Sequence, residues 1–361
     1  MEYFQDLFTS SQPKDEEIGP VLEAVDQRVI DDMNSTLMEP YTGDEVRRAL
    51  YQMHSSKASG PDGMSPFFFQ KFWSIVGHDV TSAILSAFNS GRFLHKMNYT
   101  HIASVPKKND PQSLGDFQPI SLGNVISRLF SKVLANRLKQ ILPRVISDAQ
   151  SAFIPERIIT DNTIVAFEVL HRMRNRRRGK NGQMAIKLDI SKAYDRVEWQ
   201  FLKKMMLRLG FDERWVAFAM ETIHTASYSI LINGEPQGFV KPTRGIKQVD
   251  PLSPYLFLLC AEGLSAMLLR AEEQKKIQGI LSCRGSVRVS HLLFADDCLL
   301  FCQAKIEECQ NLLHLLHSYE IASGQAINRG KTTLFFSKNI RANIKLAVQT
   351  MLGAQVFLNC E

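Results

Sequence analysis

Two apolar runs, His291–Ala295 and Cys298–Phe301, meet across the pair Asp296–Asp297. Runs this short and this close in sequence pair most simply as neighbouring antiparallel strands. A second such pair flanks Asn233–Gly234 in "SYSILINGEPQGFV", and Asn-Gly is the strongest short hairpin signal. A chain built on hairpins rather than strand–helix–strand crossovers does not wind a parallel sheet. The lack of a P-loop or a G-x-G-x-x-G fingerprint agrees. Between the hairpins the apolar spacing turns helical. Val125, Leu129, Val133, Leu134, Leu138, Ile141 and Leu142 line one face of a helix expected to stop at Pro143. Phe67–Gly91 reads as one helix, Asp161–Arg174 as another, and "VEWQFLKKMMLRLG" as a third closed by Gly210. "QMAIKLDIS" alternates as a half-buried strand does, and the helix after "GIKQVDPLSP" is expected to be capped by Ser253. The class is α+β, with helices packed on one face of an antiparallel sheet.

With 361 residues there is room for two or three structural units. A net charge of +6 leans towards a polyanionic partner, and much of it sits in Arg172–Lys180. That loop suits template phosphates, a nuclear import patch or plain solvent. Six scattered cysteines without C-x-x-C or zinc spacing imply reduced thiols. The N-terminus lacks the secretory pattern, so the expected location is intracellular, nuclear or cytoplasmic. The longest uncharged apolar stretch, Leu252–Ala261, is too short to span a bilayer, and no membrane partner is expected.

Three acids are oddly placed for structure alone. Asp189 interrupts the strand "AIKLDIS", and Asp296 and Asp297 separate two apolar runs. One explanation is an exposed hairpin turn. The other is a metal site, because an unpaired carboxylate in an apolar setting is costly. Mg²⁺ prefers one or two carboxylates plus substrate phosphates, and a pair of such ions serves phosphoryl transfer.

"KLDISKAYDRVEW", "GIKQVDPLSPYLF" and "LLFADDCLLF" resemble the successive palm motifs of reverse transcriptases, specifically those of plant non-LTR (LINE-type) retrotransposons. "KASGPDG" with "FFQKFW", "VPK", "PISL", "QSAFIPERIITDN" and "GQAINRGKT" follow the family's order, covering roughly residues 40 to 340. The resemblance implies a right-hand polymerase of fingers and palm, its antiparallel palm sheet backed by helices and its thumb largely absent. The expected divisions are a helical lead-in at 1–40, a fingers-type region at 41–183, the palm at 184–340 and a truncated thumb-side start at 341–361. It implies an RNA-directed DNA polymerase acting on an RNA template, a DNA primer and deoxynucleoside triphosphates, with two Mg²⁺ ions and Mn²⁺ as a substitute. Asp189 and Asp296 would ligate the metals and Asp297 would complete the triad. Tyr194 would pack under the sugar, or simply in the core. Lys107 would approach the triphosphate and Gln248 the incoming nucleotide. Lys331 would protonate leaving pyrophosphate, unless it is only a solvated turn lysine. Asp195 reads as structural, capping the helix that follows. Phe67–Trp73 reads as core rather than a base-stacking platform.

Two positions depart from the family's pattern. Val249 stands where Gly usually follows the Gln, and Gln118 stands where Arg usually precedes "PISL". Losing the Arg removes a phosphate contact of about 1.5–3 kcal/mol. If the Gly position needs φ > 0, Val there is strained by roughly 1–2 kcal/mol or more. Together these would cut turnover by ~10²–10⁴-fold if additive. The expectation is therefore a truncated, impaired copy. The alternatives are a non-catalytic nucleic-acid-binding relic or domesticated module, and a splicing-type maturase.

Overall fold

The computed structural model describes residues 1–179, 181–282 and 287–356. In chain order its strands are β1 Tyr99–Pro106, β2 Phe117–Gly123, β3 Gln183–Leu188, β4 Ser227–Ile232, β5 Glu235–Val240, β6 Ile280–Leu281, β7 Arg288–Val289, β8 His291–Phe294, β9 Asp297–Gln303, β10 Thr333–Phe336 and β11 Gln355–Val356. The chain divides into two compact units.

The first unit comprises Met1–Gln12, Gln27–Ile141 and Tyr194–Leu256. Its sheet has the order β2-β1-β4-β5. β1 and β2 form a hairpin, as do β4 and β5 around Asn233 (φ +53°) and Gly234 (φ +84°). Two positive φ angles in succession make the two-residue turn whose twist matches the strands. β1 and β4 run parallel, which the hairpin pattern did not foretell. The helix Glu2–Phe8 lays Phe4, Leu7 and Phe8 against Ile102, Tyr228, Ile230 and Val240. Arg244 holds that helix by its last carbonyls, its Nε donating to Leu7 O at 2.9 Å. Elsewhere Arg137, buried in the helix Val125–Val145, donates from Nε and Nη2 to both carboxylate oxygens of Glu45 at 2.8 and 2.9 Å. Its guanidinium lies 3.8 Å over the Tyr41 ring and also binds the carbonyls of Leu37 and Pro40.

The second unit comprises Pro13–Asp26, Leu142–Ala193 and Phe257–Glu361, described to residue 356. Its main sheet has the order β11-β10-β3-β9-β8, antiparallel except between β10 and β11. The helix Ile159–Asn175 packs Val169 and Met173 on Ala185, Leu292 and Phe301 of that sheet. Mixed α and β structure with largely antiparallel sheets backed by helices is what the sequence led us to expect.

Several local expectations change. The helix Val125–Val145 carries Pro143 inside its last turn instead of stopping there, and "ISLG" belongs to β2. The stretch from Phe67 to Gly91 is two helices, Pro66–Lys71 and Trp73–Ser90, broken at Phe72. Phe69 is core, but Phe67 and Phe72 are exposed beneath the Lys71 ammonium. Ser253 is the first residue of its helix rather than its cap. That helix, Ser253–Glu273, is long and apolar enough to cross a membrane, although its uncharged run is short. However, 78% of its apolar window is buried inside the protein, the behaviour of a core helix.

Candidate active site

The acidic residues come from the second unit. Leu188 pairs with Cys298, so Asp189, the next residue, stands level with Asp297 on the adjacent strand. β8 and β9 close through the pair Phe294–Asp297, leaving Ala295 and Asp296 as a two-residue turn with Ala295 at φ +52°. The Asp-Asp pair is thus part of a hairpin turn, and that turn brings Asp296 and Asp297 to the end of the strand that delivers Asp189.

These acids are not buried. Asp296 and Asp297 are exposed and Asp189 half-exposed, so desolvation is not what makes them unusual. Lysine ammonium groups lie near Asp297 and Asp189. Lys187 Nζ lies 3.6 Å from Asp297 Oδ1, and Lys331 Nζ lies 4.0 Å from Asp189 Oδ2. Lys331 is placed by its turn: the Asp189 carbonyl accepts from Asn328 N–H at 2.8 Å, and Lys331 N–H donates to Asn328 O at 3.1 Å. Ile190 bridges Ile327, which fixes the "GQAINRGKT" segment beside the end of β3. Among the described residues no three His, Cys, Asp or Glu side chains gather as a metal cage. The hard oxygen donors fit a different design, in which Mg²⁺ takes one or two carboxylates and substrate oxygens supply the rest.

The residues expected near the nucleotide belong to the first unit. Gln118 faces Val105 across the β1–β2 hairpin, and Lys107 follows β1 with its N–H on Asp116 O at 2.8 Å. Both side chains are exposed. Beside them the Lys108 ammonium and local N–H groups hold the Asp116 carboxyl down to about 2. Gln118 Nε2 donates to Gln248 Oε1 at 3.1 Å, and Gln248 Nε2 donates to both oxygens of Asp195 at 3.0 Å. Asp195 thus corrects an expectation. The following helix starts at Trp199 with Glu198 at its cap position, and buried Asp195 instead orients the Gln248 amide.

The turn around Gln248 is anchored on both sides. Ile246 N–H donates to Tyr194 O at 2.9 Å, and Gly245 N–H to Val197 O at 2.8 Å. Gly245 has φ +89°, and a Cβ there would lie 2.6 Å from Asp195 O, so only glycine fits. Buried Lys247 donates from Nζ to Asn98 Oδ1 at 2.6 Å and sits 3.5 Å from Asp250 Oδ2. Burial pulls its pKa down, opposed by Asp250. Val249 then takes φ +75° with its side chain 48% exposed. A β-branched residue there is a real backbone outlier. A glycine would take this φ without strain. Asp195 was read from the sequence in another role, and the sequence did not single out Gly245 and Lys247. The i,i+3 spacing of Lys247 and Asp250 is the signal the sequence holds for that pair.

Outside these two sites, the basic segment after the helix Ile159–Asn175 is described up to Gly179, and Lys180 lies outside the described residues. Arg172 Nη1 donates to Leu281 O at 3.1 Å, so that arginine is tied into the fold rather than free in a loop.

The site thus consists of an acidic hairpin tip set against an acid at the end of the neighbouring strand. The family model described as "Reverse transcriptase (RNA-dependent DNA polymerase)" matches residues 105–350, and the chain belongs to that family. It is 29% identical over 339 residues to an uncharacterised 149 kDa protein of the TX1 transposon from Xenopus laevis, covering 92% of this chain and 24% of that protein. It is 27% identical over 319 residues to a Pol polyprotein of the R2DM retrotransposable element from Drosophila melanogaster, covering 88% of this chain and 28% of that protein. Over 67 residues it is 58% identical to an uncharacterised mitochondrial protein of Arabidopsis thaliana, covering 19% of this chain and 55% of that protein. The chain thus spans about a quarter of the length of the two retroelement proteins. It is a reverse transcriptase domain of the LINE-type, non-LTR kind that its motifs resemble.

Proposed function

We propose that this domain carries out RNA-templated DNA synthesis by two-metal nucleotidyl transfer, and that its turnover is impaired. The observation that carries the first part is the level placement of Asp189 and Asp297 at the ends of β3 and β9, with Asp296 in the turn. Asp189, Asp296 and Asp297 would hold Mg²⁺, or Mn²⁺ in its place, together with phosphate oxygens of the nucleotide. Bound there, the ions would favour loss of the primer hydroxyl proton and neutralise charge developing on the phosphates. Lys331 holds a proton at Nζ within reach of Asp189 and is suited to deliver it to leaving pyrophosphate. Gln248 presents an amide fixed by Asp195, and Lys107 an exposed ammonium for the triphosphate. Tyr194 would lie under the sugar. The partners are an RNA template, a DNA primer and deoxynucleoside triphosphates, in an intracellular setting. The Arabidopsis match supports a plant source.

The impairment rests on Val249 at φ +75° and on Gln118, whose amide meets Gln248 where a guanidinium would meet phosphate. The test is Mg²⁺-dependent primer extension on an RNA template. The chain as it stands should extend poorly. Gln118→Arg with Val249→Gly should raise extension by ~10²-fold or more. Ordinary rates from the unmodified chain would defeat the impairment reading. Salt-sensitive RNA binding without extension, even after restoration, would favour the non-catalytic binding module.

A further inference from the structure

The segment "QSAFIPERIITDN" matches the family pattern but takes no part in the chemistry above. In the structure it grips the acidic hairpin. Gln150 is 1% exposed, and its Oε1 accepts from Ala295 N–H at 3.0 Å and from Ala152 N–H at 2.9 Å. Both incoming groups are donors, so the amide has one possible orientation. Ala295 is the turn residue at φ +52°, immediately before Asp296. A non-glycine residue holds that conformation only where its surroundings impose it.

The rest of the segment holds Gln150 in place. Leu293 N–H donates to Ala149 O at 2.8 Å, and Ser151 N–H donates to Leu293 O at 3.2 Å. Asn162 Nδ2 joins the same two carbonyls, Ala149 O and Leu293 O, at 2.9 Å each. Arg157 fills the loop beneath, donating to the carbonyls of Ser147 and Gln150 at 2.6 and 2.7 Å and to those of Pro143 and Ile146 at 3.1 and 2.9 Å. Buried Gln150 Nε2 has no partner among the described residues. An apolar residue of similar length would avoid stranding that donor, so packing alone does not explain a glutamine here. The two accepted N–H groups do.

We infer that Gln150 is a positioning residue for the acidic turn: its side-chain carbonyl holds the Ala295 amide in the left-handed conformation that aims Asp296. Arg157 and Asn162 hold the platform from which it acts. This rests on the metal-site reading for its consequence, but not for its geometry.

The test uses the full chain with Gln150→Leu, and Gln150→Met as a slimmer replacement that also removes the acceptor. Hydrogen exchange followed by mass spectrometry should show the peptide spanning 291–299 exchanging about tenfold faster, while peptides from β3 stay protected. Ala295→Gly, which takes φ +52° without strain, should make the Gln150 substitution matter less to Mn²⁺ affinity than it does alone. Mn²⁺ alone, titrated by electron paramagnetic resonance, should bind roughly tenfold more weakly to the Gln150 variants than to the parent. Exchange at the turn that is unchanged, or that rises only in step with β3, overturns the inference. A parent chain that binds no Mn²⁺ defeats the metal-site reading, and exchange at the turn then decides the role of Gln150 by itself.

Discussion

Val249→Gly should stabilise this protein, although the substitution removes a side chain and loosens a turn. Val249 sits at φ +75°, where an L residue is disfavoured and a β-branched one more so. The stored cost is about 2–3 kcal/mol. Against its relief stand about 0.5–1 kcal/mol for the greater freedom of glycine in the unfolded chain. The lost packing of a side chain already 48% exposed adds about 0.5 kcal/mol more. The net gain is about 1 kcal/mol, which corresponds to a melting shift of roughly 2 °C in a chain of this size. Val249→Ala separates the causes. It loses the same packing but keeps the left-handed backbone, so it should stay near the parent. Urea denaturation of all three should rank Gly above Ala and parent. A glycine variant with a midpoint at or below that of the alanine variant would refute strain at this turn.

Three further outcomes follow from buried charge. Arg137→Ala should destabilise the first unit by about 3–5 kcal/mol, since it strands Glu45 and several carbonyls; Arg137→Lys should recover little, lacking the fork that spans Glu45. His291 is buried between Ser265 and Ser290, and burial drives its pKa down to about 4. The unfolded chain binds a proton there from about pH 6.5, so stability is complete above that pH and falls as the pH drops towards 4. The loss is roughly 3 kcal/mol over that window, and His291→Gln should flatten the curve in chemical denaturation across pH. Asp195→Asn should leave the Gln248 amide one acceptor in place of two and, in the restored polymerase, raise the nucleotide KM severalfold with a smaller effect on kcat.

What the sequence made legible was whatever depends on near neighbours. The hairpins around Asn233–Gly234 and Asp296–Asp297 follow from turn chemistry between apolar runs, and the structure has both. Comparing residue 249 with a family pattern raised positive φ there as a condition, and the backbone has it. Groups joined across long separations stayed hidden. Gln150 and Ala295 are 145 residues apart, and Asp195 and Gln248 are 53 apart. Nothing in local spacing marks such pairs. Helix ends misled where tertiary packing outweighs propensity. Pro143 is tolerated in a last turn whose carbonyls Arg157 collects, and Phe72 breaks a pattern that apolar spacing alone would continue. The buried Glu262, which accepts from Ser147 N–H at 3.0 Å, shows why an acid in an apolar helix did not end that helix.

The grip of residues 149–151 on β8 has a consequence for handling the protein. β8 is the outermost strand of its sheet, and the bridge from Gln150 to Leu293 occupies its open side. A bare edge carrying His291-Leu-Leu-Phe294 would present unpaired amides on an apolar strand, the template on which chains add to one another. The segment therefore also acts as a lid against self-association. A fragment begun downstream of residue 152 would keep every acidic residue of the candidate site and still be prone to precipitate. Cut points for expression belong upstream of the helix end at Val145, where the lid remains attached to its own supports.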